Sequence, residues 1–264
     1  MPRPRVYKTE AVVLRQRKLG EADRIITLYT PELGKLEAVA KGVRRPTSRL
    51  GGHLEVLTQA SVLLAKGQNL DVVTQAQALE AFPALREDLE RLSRAVYVAE
   101  LVDRATPLGV ENYPLYQLLL RALRGLAQRQ PLDTVVRWFE VQALEALGYR
   151  PRLEACAVCG AALAPATNYF GAAAGGVACP RCALGGTVAR PLSLNALKVL
   201  RLMQSGGLED VLRVHIAPPL ADELEAHLRD YLHYTLEREV KASAFIQRLR
   251  RETAIGLALE RRGV

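Results

Sequence analysis

The chain is predicted to be a multidomain α+β protein, with a small amino-terminal β-barrel, a bundle of helices, and a cysteine knuckle set in or beside the bundle. Three observations lead there. Alternating apolar and β-branched residues dominate up to about residue 80 and give way after Pro83 to apolar positions at helical spacing. Four cysteines, all there are in the 264 residues, fall as Cys156-x-x-Cys159 and Cys179-x-x-Cys182. The composition is 49% hydrophobic, which is globular, and the length allows two or three separate cores. The expected division is a barrel over 1–80, helices over 81–150, a metal-binding module over 151–190 and further helices over 191–264.

Each element has its own signal. Residues 6–14 alternate and carry Val6, Thr9, Val12 and Val13. The stretch 24–30 repeats the pattern, and Pro31-Glu32-Leu33-Gly34 turns the chain into 35–40, as in a hairpin. Apolar runs at 55–64 and 71–78, parted by Gly67 and Asn69, bring the strands to five, a number that suits a small closed or half-closed barrel. Leu85, Leu89, Leu92, Ala95, Val96, Ala99 and Val102 then keep helical spacing. Helices are also expected over 113–128 and over 132–147, the second stopped by Gly148. Ser193 is placed to cap a helix over 194–203, and 221–250 supplies one or two more.

Paired thiols two residues apart close on one face of a metal from a single tight turn, and two such turns complete a tetrahedral sulfur shell. Nineteen residues separate Cys159 from Cys179, a spacing typical of zinc ribbons and knuckles. Gly160, Gly175, Gly176 and Pro180 supply turn residues where the backbone must bend. One structural Zn2+ held by Cys156, Cys159, Cys179 and Cys182 is therefore expected, with no coordination position left for substrate. The rivals are two disulfides or a redox dithiol. Disulfides would suit a secreted chain, but the opening residues Met1 to Lys8 lack an apolar signal core, and a cytoplasmic location is expected.

Charge is unevenly placed. The net charge is +8, and residues 1–49 hold twelve Lys and Arg against five acids. From 237 to 264 there are seven against four, so the long middle is slightly acidic. A basic lobe suggests a polyanion partner. Its densest part runs from Lys41 through Arg44 and Arg45 to Arg49, with Gly42 and Pro46 marking a loop off the third strand. Lys8, Arg15, Arg17, Lys18, Arg24 and Lys35 are placed to extend the same field. The alternative is a solvated charged face, and Arg outnumbering Lys by 29 to 7 is a chain-wide bias that weakens the weight of any single arginine. Up to residue 80 the only aromatic side chains besides His53 are Tyr7 and Tyr29, so an extended base-stacking platform is poorly supplied. Phosphates would be held and base edges left free.

No phosphate loop, H-E-x-x-H, G-x-S-x-G or dinucleotide glycine motif is present. His53, His215, His227 and His233 are scattered, and the carboxylates of Glu21 and Asp23 read as a solvated turn. The expectation is a protein without catalytic residues; a zinc-ribbon nucleic-acid processing enzyme and a purely structural adaptor are the rival classes.

Four stretches in this order resemble one family. They are Glu10-Ala11-Val12-Val13-Leu14 leading to Leu19-Gly20-Glu21-Ala22-Asp23-Arg24-Ile25-Ile26-Thr27-Leu28-Tyr29-Thr30; Gly34-Lys35-Leu36 leading to Ala40-Lys41-Gly42-Val43-Arg44-Arg45; Leu147-Gly148-Tyr149-Arg150-Pro151 leading to Cys156-Ala157-Val158-Cys159-Gly160; and Cys179-Pro180-Arg181-Cys182. The chain is similar from Lys8 to about Leu249 to the bacterial RecO recombination mediators. The resemblance implies an N-terminal OB-fold barrel, a helical domain and a structural zinc site, with no catalytic turnover. It also implies binding of single- and double-stranded DNA, annealing of complementary strands, contact with the tail of single-strand binding protein (SSB), and cooperation with RecR in loading RecA, in the cytoplasm and at the nucleoid. Lys35, Lys41, Arg44 and Arg45 are the counterparts of the family's basic barrel positions; Glu37 stands where some relatives carry a base. No membrane and no small-molecule substrate are expected.

Overall fold

A computed structural model describes residues 5–128, 130–186 and 189–236. Two compact units divide the chain after Gln128. The predicted basic stretch from 237 to 264, and the end of the helix expected over 221–250, lie outside the described residues.

The first unit begins with β1 (Val6–Leu19), β2 (Asp23–Thr30), β3 (Gly34–Ala40), β4 (Gln59–Ala65) and β5 (Asp71–Glu80). Their order β1-β2-β3-β5-β4, with β4 returning to β1, closes the sheet into a barrel of OB topology. The β1 strand makes the closure possible. Its first half, Val6 to Val12, pairs with β4, and its second half, from Val12 to Leu19, pairs with β2. A bulge between Val13 and Arg15 bends it where it passes from one partner to the other. The last seam is a short parallel contact of Ala38 and Val39 with Asp71 and Val72. Inward-facing Ala11, Val13, Ile26, Leu28, Ala38, Ala40, Ala60, Val62, Leu64 and Val73 fill the interior. The small alanines let five strands curl tightly around the larger aliphatics.

The sequence runs differ from the strands in two places. Alternation stops at Leu14 in the sequence, where polar and charged side chains take over, yet β1 continues to Leu19 because it goes on pairing with β2. The apolar run at 55–64 begins as a loop, since Gly51–His53 forms a 3-10 turn and Leu57 adopts φ +73, so β4 starts only at Gln59.

Three helices complete this unit, α1 (Pro83–Arg86), α2 (Leu89–Ala105) and α3 (Tyr113–Ala127). The helical pattern that looked continuous from Leu85 is broken because the Asp88 carboxylate caps α2, accepting from the amides of Glu90 and Arg91 at 2.8 and 3.3 Å. Asn112 caps α3 in the same way, through the Leu115 amide. Between α2 and α3 the chain crosses β3: the Gly109 amide donates to the Lys35 carbonyl at 2.8 Å, and a Cβ on Gly34 would lie 1.9 Å from the Val110 carbonyl oxygen. Gly34, at φ +62, is therefore required on two counts.

The second unit contains α4 (Leu132–Ala146), α6 (Leu194–Ser205), α7 (Leu208–Leu212) and α8 (Pro218–Leu236), together with the cysteine module. Ser193 caps α6 as expected, accepting from Ala196 at 3.1 Å. The Trp138 indole donates to the Gly206 carbonyl at 3.3 Å, which ties α4 to the α6–α7 turn. The module carries a three-stranded sheet that the glycine-rich sequence did not suggest, β6 (Asn168–Gly171), β7 (Gly176–Ala178) and β8 (Arg190–Leu192), plus the short α5 (Pro180–Leu184). Phe170 of β6 packs against His227 and Tyr231 of α8, with ring centroids 5.6 and 5.3 Å apart, and so anchors this sheet on the helices.

Candidate metal centre and nucleic-acid interface

All four cysteine sulfurs lie within 4.8 Å of one another. Four sulfurs around a tetrahedral ion at about 2.3 Å stand about 3.8 Å apart, and Cys159 and Cys179 are separated by 3.9 Å. The sequence shapes each half of the cage. In the first, Gly160 takes φ +74 and its amide returns to the Cys156 carbonyl at 2.9 Å. In the second, Cys179 precedes α5 with Pro180 at its first position, and the Cys182 amide bonds the Cys179 carbonyl at 3.0 Å. Gly176 lets β7 approach the first half, because a Cβ there would lie 2.2 Å from the Arg152 carbonyl oxygen.

The thiols are electrostatically unequal. Burial opposes ionisation of Cys156, but amides of Cys159, Cys179 and Val158 outweigh it and bring the thiol down to about 6. Cys179 is also lowered, chiefly by the Cys182 amide. The neighbouring thiols of Cys159 and Cys179 push Cys182 up to about 12. Such a cluster resists carrying four negative charges by itself, and a cation between the sulfurs removes that resistance. The donor set therefore fits a metal ion.

The predicted basic residues separate into two groups. At the end of β3, loop 41–49 is fastened to the β1–β2 turn: the Gly42 amide donates to the Asp23 carboxylate at 2.7 Å and the Arg44 amide to the Ala22 carbonyl at 3.0 Å. The Arg44 guanidinium adds a 2.7 Å bond to the Glu21 carbonyl. Asp23, read from sequence as part of a solvated turn, is thus the clamp that holds the loop. Lys41, Arg44, Arg45 and Arg49 are exposed, and none forms an ion pair among the described residues. Lys18, at the same end of the barrel, is likewise exposed. Arg24 joins this end but is half-buried, its guanidinium bonded to Gln16, which in turn bonds the Leu54 carbonyl.

The second group lies on the outer face of β1 to β3 and is already paired. The Lys35 ammonium, 12% exposed, contacts the Asp103 carboxylate of α2 at 3.2 Å and also bonds its carbonyl. Arg15 pairs with Asp103 at 3.0 Å and Glu37 at 3.6 Å, and Arg17 pairs with Glu37 at 2.8 Å. Lys35 is a strut between barrel and helix. Asp103, the partner that decides this, lies 68 residues away, and no local pattern pointed to it.

The fold and these sites define a two-unit protein whose OB-topology barrel carries a cationic rim and whose helical unit carries a four-cysteine cluster fit to hold a metal ion. Comparison with known proteins narrows the class. Residues 4–82 match the family model described as Recombination protein O N terminal, and residues 86–244 match that of its C terminal. A DNA repair protein RecO of Roseiflexus sp. is 46% identical over 248 residues, 94% of this chain and 87% of the relative. Proteins of the same name from Dehalococcoides mccartyi strain 195 and Pelotomaculum thermopropionicum are 38% and 40% identical, covering 95% and 92% of this chain and 99% and 94% of their own lengths. The chain belongs to the RecO family of DNA repair proteins. No described helix is long and apolar enough to cross a membrane.

Proposed function

We propose that the protein is a recombination mediator that binds single- and double-stranded DNA along the rim formed by loop 41–49 and the β1–β2 turn. It anneals complementary strands, including strands coated with SSB, and works with RecR to load RecA at gaps and breaks. Four exposed cations on one clamped loop, Lys41, Arg44, Arg45 and Arg49, carry the reading. They suit phosphates, which give affinity without sequence choice. Membership of the RecO family supports the strand-annealing role, and the SSB tail and RecR enter as partners on that ground alone. The metal is proposed to be one Zn2+, because four thiolates at tetrahedral spacing match its preference, and it holds structure with no site open for chemistry. No catalytic residue is assigned.

The test is Arg44→Glu combined with Arg45→Glu. Fluorescence anisotropy with labelled oligonucleotides should show single- and double-strand binding weakened together. The slope of log affinity against log salt should shrink by about 0.7 per lost contact on single strands and about 0.9 on duplex. Unchanged affinity for both forms at equal salt rejects the rim as the binding surface.

A further inference from the structure

Arg17 reaches out of the second half of β1 with a side chain 51% exposed, and its guanidinium sits 2.8 Å from Glu37. Glu37 is only 17% exposed, projects from β3 two strands away, and also accepts from the Thr27 hydroxyl on the strand between them, at 3.4 Å. Glu37 is thus fixed in place, while Arg17 is a half-exposed cation drawn down onto it. The neighbouring Arg15 differs, since Asp103 holds it at 3.0 Å whether or not Glu37 is charged. Arg17 has Glu37 as its single ion-pair partner among the described residues.

The register places this pair next to the rim. Arg17 lies opposite Ile25, and Ile25 opposite Val39, two residues before Lys41. Two strand spacings amount to about 10 Å, so a phosphate backbone lying on the Lys41 loop passes within reach of an unpaired arginine side chain. A carboxylate at Glu37 acts twice against such a contact. It satisfies the guanidinium, and its own charge repels the incoming phosphate.

We propose that Glu37 masks Arg17, so that this arginine on the outer face of β1 is a latent phosphate contact which the carboxylate keeps off the DNA path. The inference rests on the barrel being the DNA-binding unit. It assigns to Glu37 a restraining role: the protein holds DNA less tightly than its count of basic residues allows, which favours release once strands have paired.

Glu37→Gln keeps the shape of the side chain and removes its charge. Single-strand affinity measured by anisotropy should rise up to about 8-fold at 50 mM salt, with the salt slope steeper by about 0.7, the increment of one phosphate contact. Adding Arg17→Ala to Glu37→Gln should return affinity and slope to the wild-type values, whereas adding Arg15→Ala should not. Glu87→Gln, which removes one charge from an exposed position at the end of α1, controls for net charge and should shift affinity by much less. Thermal unfolding of each variant confirms that folded protein is compared. If Glu37→Gln binds no more tightly than wild type, or if Arg17→Ala leaves its gain intact, the masking role is wrong. A loss of affinity overturns it in favour of Glu37 aiming Arg17 at a phosphate. These readings are ratios to wild type, so they remain separable from the rim assignment: Arg44→Glu with Arg45→Glu can abolish binding while Glu37→Gln does nothing, and then only the masking fails.

Discussion

Lys35 and Lys41 stand six residues apart with opposite fates, and the difference is decided by neighbours distant in sequence. Lys35 is buried against Asp103, while Lys41 is exposed on a loop clamped by Asp23. Taking a lysine out of water costs several kcal/mol unless a carboxylate compensates, so Lys35 and Asp103 belong together as a brace. Lys35→Met should lower stability by about 1–2 kcal/mol, less than the usual cost of breaking a buried pair because Arg15 still compensates Asp103. Lys41→Met should leave stability within about 0.5 kcal/mol of wild type and weaken DNA binding. Urea denaturation of both variants checks the first half, and equal destabilisation of the two would contradict the brace. The sequence showed where cations cluster, because clustering is local. It could not show which are neutralised: Glu37 is visible two residues from Lys35, yet its hold on Arg17 depends on strand register, and Asp103 arrives from another helix.

At the level of elements, alternation located the strands wherever one side chain in two enters the barrel, as at Ile26 and Leu28 or Ala38 and Ala40. It failed at the outer end of β1, which is strand by pairing and not by apolar content, and at 55–58, a loop from which Val56 packs against the barrel core. The cysteine module repeats the lesson. Its four ligands were legible because metal coordination demands residue type and spacing together, whereas β6, β7 and β8 are three or four residues each and too short for any period to show. The module's hydrophobic cluster is small, with Cys156, Ala178 and Cys179 as its buried members. A metal held by the four thiols would therefore contribute much of its stability. Stripping it with a strong chelator at neutral pH should lower the melting temperature and expose four titratable thiols, with elemental analysis giving one zinc per chain before treatment. Because the proposed DNA-binding rim belongs to the other compact unit, the salt slope of DNA binding should survive the treatment. Four freely reactive thiols in untreated, fully stable protein would contradict a metal-held knuckle.

For the whole molecule, the decisive question is what a barrel with a cationic rim and few aromatics can do for two strands. Spontaneous annealing is slowed at low salt by repulsion between phosphate backbones. A rim of Lys41, Arg44, Arg45 and Arg49 would neutralise part of that charge, and it offers no aromatic ring to hold bases in a stack. The two described tyrosines of the barrel are engaged elsewhere: Tyr7 donates to Asp71 at 2.5 Å, and Tyr29 is wholly buried. Bases held by such a rim stay free to find partners. Complementary oligonucleotides, one labelled with a donor and the other with an acceptor dye, should therefore pair faster with the protein than without it, in the absence of nucleotide and added divalent metal. The acceleration should fade as salt rises, because the same ions that screen the strands displace the protein. Glu37→Gln sharpens the expectation: tighter binding should raise the initial rate at limiting protein but slow the release of finished duplex, so that turnover through successive pairs falls. Strands coated with SSB add the partner contact that family membership implies. Rates equal to the spontaneous one with naked strands at low salt would remove the mediator reading, whereas acceleration confined to naked strands would leave the rim in place and reject only the contact with the coating protein.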